Sequence, residues 1–342
     1  MAVNFLKMKK ILKKIILTLL IFLLVICGYF FIGPSQEAEK ISWGVNFSQK
    51  HAENLGLDWK ETYLALLNDL KVKKIKIASY WDLIEPEERV YNFEDLDWQV
   101  EKAEEKGTEI LLVIGMKSPR WPECHIPFWA KELKEEEQKE KILILIRKIV
   151  LRYKERSFIF AWQVENEPFF PFGECPWTDK NFLKKEVALV KSLDSSHPII
   201  ISESGEGSLW IQAAQIGDIV GITMYKKVWV KEIRQYFTYF FPPISYYRKS
   251  KIVEKLFGKE VICVELQAEP WGPKLLYDCP IEEQLKTMNL EQFQKNIEFA
   301  KKTGFDTFYL WGAEWWYWLK EVHNQPEIWN KAKQLFDFGI LS

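Results

Sequence analysis

The stretch FIFAWQVENEP, residues 158–168, decides how this chain is read. Six of its first seven residues are apolar or aromatic, and the run is short, bounded and rich in β-favouring side chains, which predicts a buried strand. It ends in Glu165, Asn166, Glu167 and Pro168, so two carboxylates emerge at the strand's C-terminal end. A carboxylate there is costly unless hydrogen bonds or nearby charges offset its desolvation. In barrel enzymes the same rim carries the catalytic groups. The plainer alternative is that both glutamates open a solvated loop, and the surrounding chain has to choose.

On both sides of this stretch, short apolar runs alternate with longer segments of helical spacing. Strands are expected at 41–47, 74–81, 109–115, 197–204, 218–225, 260–267 and 306–312, with the opening stretch as the fourth of eight. Helices are expected at 59–71, 96–106, 128–153, 179–193, within 281–302 and at 326–336, with a brief helical turn at 211–214. The aromatic segment 229–256, broken by Pro242 and Pro243, reads as helix, loop and helix. Eight strand-then-helix units over residues 41–342 predict a single (β/α)8 barrel of the TIM type. A doubly wound open sheet is the competing architecture, but the first strand-to-helix turn has no G-x-G-x-x-G cradle and no P-loop occurs.

The N-terminus has its own character. Residues 1–14 carry Lys7, Lys9, Lys10, Lys13 and Lys14, and residues 15–32 are apolar and uncharged. This is an export signal or a membrane anchor. The run reaches the lower limit for spanning a bilayer, and no clean small-x-small cleavage site follows it. A transmembrane signal-anchor is therefore expected, with residues 33–40 as linker and the barrel outside the cytoplasm by the positive-inside rule; secretion after cleavage is the alternative. The 47 basic and 48 acidic residues nearly cancel, which excludes the basic footprint of a nucleic-acid binder. Cys124 and Cys175 lie in Pro-rich loops after candidate strands and form a candidate disulfide, with free thiols as the alternative. The four histidines are scattered and suggest no metal site, and no cofactor is expected.

In a barrel the strand C-terminal ends share one cleft. They gather Lys76, Trp81 and Asp82, then Trp121, Glu123 and His125, then Asn166 and Glu167. Glu203 and Tyr225 follow, then Glu265, Gln267, Glu269 and Trp271, then Trp311, Glu314 and Trp315. Acids and tryptophans dominate, and the 16 tryptophans of the chain suit stacking on sugar faces as well as core packing. Two carboxylates flanking a sugar can break a glycosidic bond, one donating a proton while the other attacks or activates water. The fourth and seventh strands face each other across the ring, so Glu167 and Glu265 are the expected pair. Glu265 is preferred to Glu269 because it directly follows the apolar run VICV.

This ordered set resembles the retaining glycoside hydrolases of clan A, which include the family 5 cellulases and mannanases and the family 42 β-galactosidases. The resemblance rests on N-E-P after the fourth strand, Glu265 on the seventh, Tyr225 closing the sixth and Trp311 on the eighth, and on SYWDLIEPEERVYNFEDLDW at 79–98. It implies a glycosidase acting on a β-linked glycan or oligosaccharide, with Glu167 as acid/base, Glu265 as nucleophile and Asn166 on the sugar's 2-hydroxyl. Tyr225 would orient the nucleophile, and Trp311 would floor the reacting sugar. Lys76 stands where the clan usually has arginine, which keeps the charge and loses the bidentate fork.

Around these, Trp81, Trp121, His125, Gln267 and Trp271 are expected to line the substrate site, and Trp315 is a further candidate platform. Glu123, Glu203, Glu206 and Glu314 read as solvated loop acids, and His125 also as a brace for its loop. The aromatic run 236–247 reads as a subsite wall, a membrane-facing patch or packing. Transfer of the glycosyl unit to another sugar, or a barrel that only binds glycans, remain the alternatives to hydrolysis.

Overall fold

In the computed structural model, which describes residues 2–338, the apolar runs become β1 (Ser42–Asn46), β2 (Lys74–Ala78), β3 (Glu109–Ile114), β4 (Ile159–Val164), β5 (Ile199–Ser204) and β6 (Ile219–Met224). A hairpin follows, β7 (Lys227–Val230) and β8 (Gln235–Thr238), then β9 (Val261–Gln267) and β10 (Thr307–Trp311). The eight strands other than the hairpin close into a barrel in the order β1-β10-β9-β6-β5-β4-β3-β2, every pair parallel. The expected TIM barrel is thus the fold.

The strands are buried almost end to end because both faces are covered. Leu111, Ala161, Ile200, Ile219, Ile262, Val264 and Tyr309 fill the interior. A larger apolar layer joins strands to the surrounding helices. Gly221 makes room in the interior, since a Cβ there would sit 2.9 Å from both Ile200 and Val264. The crossover helices start where side-chain oxygens satisfy free amides: Asp58 before Trp59–Asn68, Asp179 before Lys180–Leu193 and Asn289 before Leu290–Lys301.

Two of the departures from expectation bear on the site. The first part of 229–256 is the antiparallel hairpin β7–β8, and only Pro243–Phe257 is helical. Trp229 pairs with Tyr236 and Val228 with Phe237, so a period of two governs this stretch. Second, β10 leads straight into an unexpected helix, Ala313–His323. Gly312 turns the chain at φ +129, and a Cβ there would lie 2.4 Å from that of Glu269.

The N-terminal helix Ala2–Phe31 contains the stretch Lys9–Phe31, long and apolar enough to cross a membrane.

Candidate active site

At the end of β4 the backbone enters left-handed geometry at Glu165 (φ 60) and Glu167 (φ 42), which sends the two carboxylates to different partners. Glu165 turns back under the β3 loop, where it accepts hydrogen bonds from the Met116 and Lys117 amides at 2.7 and 2.6 Å. It also faces Glu186 of helix Lys180–Leu193. Burial and its carboxylate neighbour push the Glu186 carboxyl far above the usual range, so this pair holds a proton between its two acids. Glu165 is therefore a buried support of the loop.

Glu167 points into the barrel mouth. Its amide donates to Ser202 Oγ at 2.8 Å, and its carboxylate accepts from Thr223 Oγ1 at 3.0 Å. Thr223 stands in register with Glu265 on the neighbouring strand. Burial, then the charge of Glu265, pushes the Glu167 carboxyl up to about 7, against opposing pulls from Lys117 and Thr223. Glu265 is 3% exposed and is held from both sides, by Lys76 Nζ at 2.9 Å and by the Tyr225 hydroxyl at 3.1 Å. The mouth thus contains two interacting carboxyls in contrasting settings, one raised by burial and a like charge, the other gripped by a cation and a phenol.

Asn166 is buried between Glu123, which accepts from its Nδ2 at 3.2 Å, and Gln163, which donates to its Oδ1 at 3.0 Å. Burial holds Glu123 up at about 8, so a second protonated acid sits beside the pair. The loop that carries Glu123 is tied to the β4 loop by the Cys124–Cys175 disulfide. Trp121 (43% exposed), Phe172, Trp271 and Tyr225 form a line of ring contacts along the rim, at 6.0, 5.5 and 5.3 Å in turn.

Several expected site residues lie elsewhere. Trp81 is fully buried in the helical turn Trp81–Ile84, where its indole donates to Glu85. His125 is 1% exposed, with Nε2 on the Arg120 carbonyl and Nδ1 beside Lys50, and burial followed by Lys50 lowers its pKa to about 3. It braces its loop. Gln267 is buried and uses its amide on the Lys226 and Lys227 backbone, so it fastens the base of the hairpin. Trp315 is core, donating to Gln284. The supposed loop acids Glu123, Glu203, Glu206 and Glu314 are all buried. Glu206, for one, accepts from the Tyr225 amide and the Tyr246 hydroxyl.

The largest omission from the sequence reading is Arg120. Its guanidinium lies 3.8 Å over the Trp311 ring and pairs with Glu269 and, at 3.1 Å, with Glu314. Burial works against the Glu269 charge, but Arg120 and His51 outweigh it and hold that carboxyl at about 2. Glu269 is thus a fixed counter-ion, with no proton to give near neutral pH. Arg120, Trp311, Lys76, Asn46, Ser48 and Tyr80 line a small pocket, in which Arg120 Nε and Asn46 Oδ1 have no partner. A lone arginine in a Pro-rich loop carries no signal in sequence; only the fold brings its acids to it.

A family model described as beta-galactosidase, glycoside hydrolase family 42, matches residues 57–130, a stretch that contains neither Glu167 nor Glu265. No curated protein matches the chain. Among solved structures, a β-galactosidase from the haloarchaeon Halorubrum lacusprofundi is similar at 13% identity and a TM-score of 0.53, over 79% of this chain and 52% of that one. The chain therefore spans about half the length of that enzyme. A family 5, subfamily 18 enzyme from Bifidobacterium longum, solved with Manβ1-4GlcNAc, is 13% identical over 79% of this chain and 68% of its own, at a TM-score of 0.57. Xylanase 10B from Thermotoga petrophila, solved with xylobiose, is 16% identical over 80% and 82%, at 0.50. In fold this chain resembles the clan A glycoside hydrolases of families 5, 10 and 42, and over residues 57–130 it resembles family 42 in sequence as well.

Proposed function

We propose that the protein is a retaining β-glycosidase, anchored in a membrane by its N-terminal helix and acting outside the cytoplasm, with Glu167 as acid/base and Glu265 as nucleophile. The observation that carries this reading is the contrast between the two interacting carboxyls. Glu167 is held up to about 7, so near neutral pH it retains a proton to give. Glu265 is aligned by Lys76 and Tyr225.

In the first step Glu265 attacks the anomeric carbon as the bond to the leaving oxygen breaks, and that oxygen takes the Glu167 proton. In the second, Glu167 removes a proton from the water that attacks the same carbon and releases Glu265. Esterified Glu265 carries no charge, so the repulsion that raised Glu167 is absent when it has to act as a base. The Arg120–Trp311 pair borders the pocket next to Lys76, and its free Nε–H and the Asn46 carbonyl suit sugar hydroxyls. Asn166 supplies the contact to the 2-hydroxyl, exchanging Glu123 for the sugar. Trp121 and Trp271 offer faces for sugars along the rim.

The test is turnover of chromogenic β-glucosides, β-galactosides and β-mannosides, with the anomeric configuration of the product read by NMR. Retention, and loss of turnover in Glu265→Gln, are expected. Full activity in Glu265→Gln, or an inverted product, overturns the mechanism. Undiminished cleavage of poor leaving groups by Glu167→Gln, together with loss in Glu123→Gln, moves the acid role to Glu123.

A further inference from the structure

Outside the N-terminal helix, most exposed large aromatic side chains lie at the end of the barrel that holds the carboxyl pair, while Leu151 and Leu256 are exposed on the last turns of the helices leading into β4 and β9. Trp121, Phe128, Phe170, Phe237, Phe240 and Tyr277 all lie in segments that follow barrel strands at their C-terminal ends. Among the described residues, none lies in the turns leading into β2 to β6, β9 and β10 at the opposite end. Those turns carry Lys71, Lys73, Lys106, Glu155 and Lys259 instead.

The N-terminal helix joins the barrel at the apolar end. Phe31 packs at 5.9 Å on both Phe240 and Phe241, which directly follow the hairpin. Ser245 donates to the Phe30 carbonyl at 3.0 Å, and Arg248 covers the Tyr29 ring at 4.7 Å. Ser245 opens helix Pro243–Phe257, which descends from the rim to the start of β9. From Phe31 the chain runs down the outside of the barrel, past Gln36, whose amide donates to the Lys302 carbonyl, to β1 at the far end. Among the described residues, the one helix long and apolar enough to cross a bilayer therefore leaves from the rim that bears the site.

The hairpin continues that surface. One of its faces, with Trp229 and Tyr236, is turned to the site loops through the Trp271 carbonyl and Glu283. Its turn and its other face leave Ile233 56% and Phe237 36% exposed, with Lys231, Glu232 and Arg234 beside them, and Phe240 just after it is 68% exposed. Aromatic and aliphatic groups beside charges that are cationic on balance, next to an apolar helix, have the composition of a segment seated at lipid headgroups.

Resting on the reading of the N-terminal helix as an anchor, we propose that the β7–β8 hairpin and Phe240 seat this rim on the membrane surface. The catalytic mouth then faces the bilayer, and the substrates it takes are sugars carried on a membrane lipid. A barrel held mouth-down meets such headgroups at the high local concentration that tethering to one surface provides, whereas soluble oligosaccharides must enter from the side.

The full chain, in vesicles of phosphatidylcholine and phosphatidylglycerol, tests this with nitroxide labels placed one at a time at Phe240→Cys, Phe237→Cys, Lys106→Cys and Leu20→Cys in a Cys27→Ser background. Labels at 237 and 240 should relax with oxygen more than with an aqueous nickel chelate, the label at 106 the reverse, and the label at 20 should lie deepest. Lipid exposure at 20 with aqueous behaviour at 237 and 240 overturns the seating while leaving the anchor intact. Aqueous behaviour at 20 overturns both. The triple variant Ile233→Ser/Phe237→Ser/Phe240→Ser should keep kcat/KM on a soluble nitrophenyl glycoside and lose about tenfold on the same sugar carried by dioleoylglycerol in the vesicle. Equal rates for variant and parent on the lipid-borne sugar overturn the substrate class. If no glycoside is turned over, the glycosidase reading falls, and the label pattern still decides the seating.

Discussion

Removing the negative charge of Glu265 should loosen the proton on Glu167. The Glu167 carboxyl stands at about 7 rather than 4.5, with burial the larger cause and the charge of Glu265 the next. A rise of that size corresponds to about 3 kcal/mol in favour of the protonated form. Two carboxylates at roughly 5.5 Å, the spacing of a retaining pair, repel by about 1.5–3 kcal/mol for an effective dielectric between 40 and 20. Burial outranks the charge, so the lower figure applies, and Glu265→Gln should lower the Glu167 pKa by about one unit. The measurement is a carboxyl 13C titration with labelled glutamate, the Glu167 signal being assigned by its loss in Glu167→Gln. In the proposed mechanism the same group sets the pH profile. A proton donor works below its pKa, so kcat/KM should fall above about pH 7. An unchanged or higher Glu167 pKa in Glu265→Gln would refute the electrostatic link on which the acid-to-base switch depends.

Other parts of the rim can be tested by stability. Lys76 and Glu265 are both at least 97% buried as an ion pair, so Lys76→Met should strand a buried carboxylate and cost about 3–5 kcal/mol in urea denaturation; a loss under about 1 kcal/mol would mean that water or Tyr225 replaces the cation. The Glu186 carboxyl is raised well above 4.5 in the folded state, so the stability it contributes is full below 4.5 and is lost as pH climbs towards its folded value. Glu186→Gln keeps a donor for Glu165 and should therefore flatten the fall in melting temperature above pH 5, the variant overtaking the parent at alkaline pH. Identical pH profiles would contradict a shared proton. The Cys124–Cys175 bond closes a separation of 51 residues, so Cys124→Ser/Cys175→Ser should lose about 4 kcal/mol by loop-closure entropy, read from the urea midpoint.

What could be read from sequence was what a local pattern encodes. Parallel barrel strands are apolar along their whole length because both faces are covered, so eight short runs separated by capped helices were visible one at a time. The hairpin was not, because large aromatic side chains suit a helix and a strand alike. Its turn, Lys231-Glu232-Ile233-Arg234, also has no glycine or asparagine to mark it; Arg234 itself takes the left-handed geometry at φ 50.

Polar partnerships were illegible for a different reason. Arg120 meets acids 149 and 194 residues away, and nothing about a carboxylate's neighbours in sequence says whether it will be solvated, paired or protonated. Four glutamates read as loop acids are buried on that account. The opening tripeptide shows how fine the distinction is. Glu165 and Glu167 are two residues apart, both left-handed in backbone and both raised by burial, yet one is spent on two backbone amides and Glu186 while the other is left with a threonine hydroxyl and a view of Glu265. Exchanging their roles would need no change in the tripeptide itself. It would need a different β3 loop and a different residue on β6, so the chemistry of the stretch belongs to the strands on either side of it.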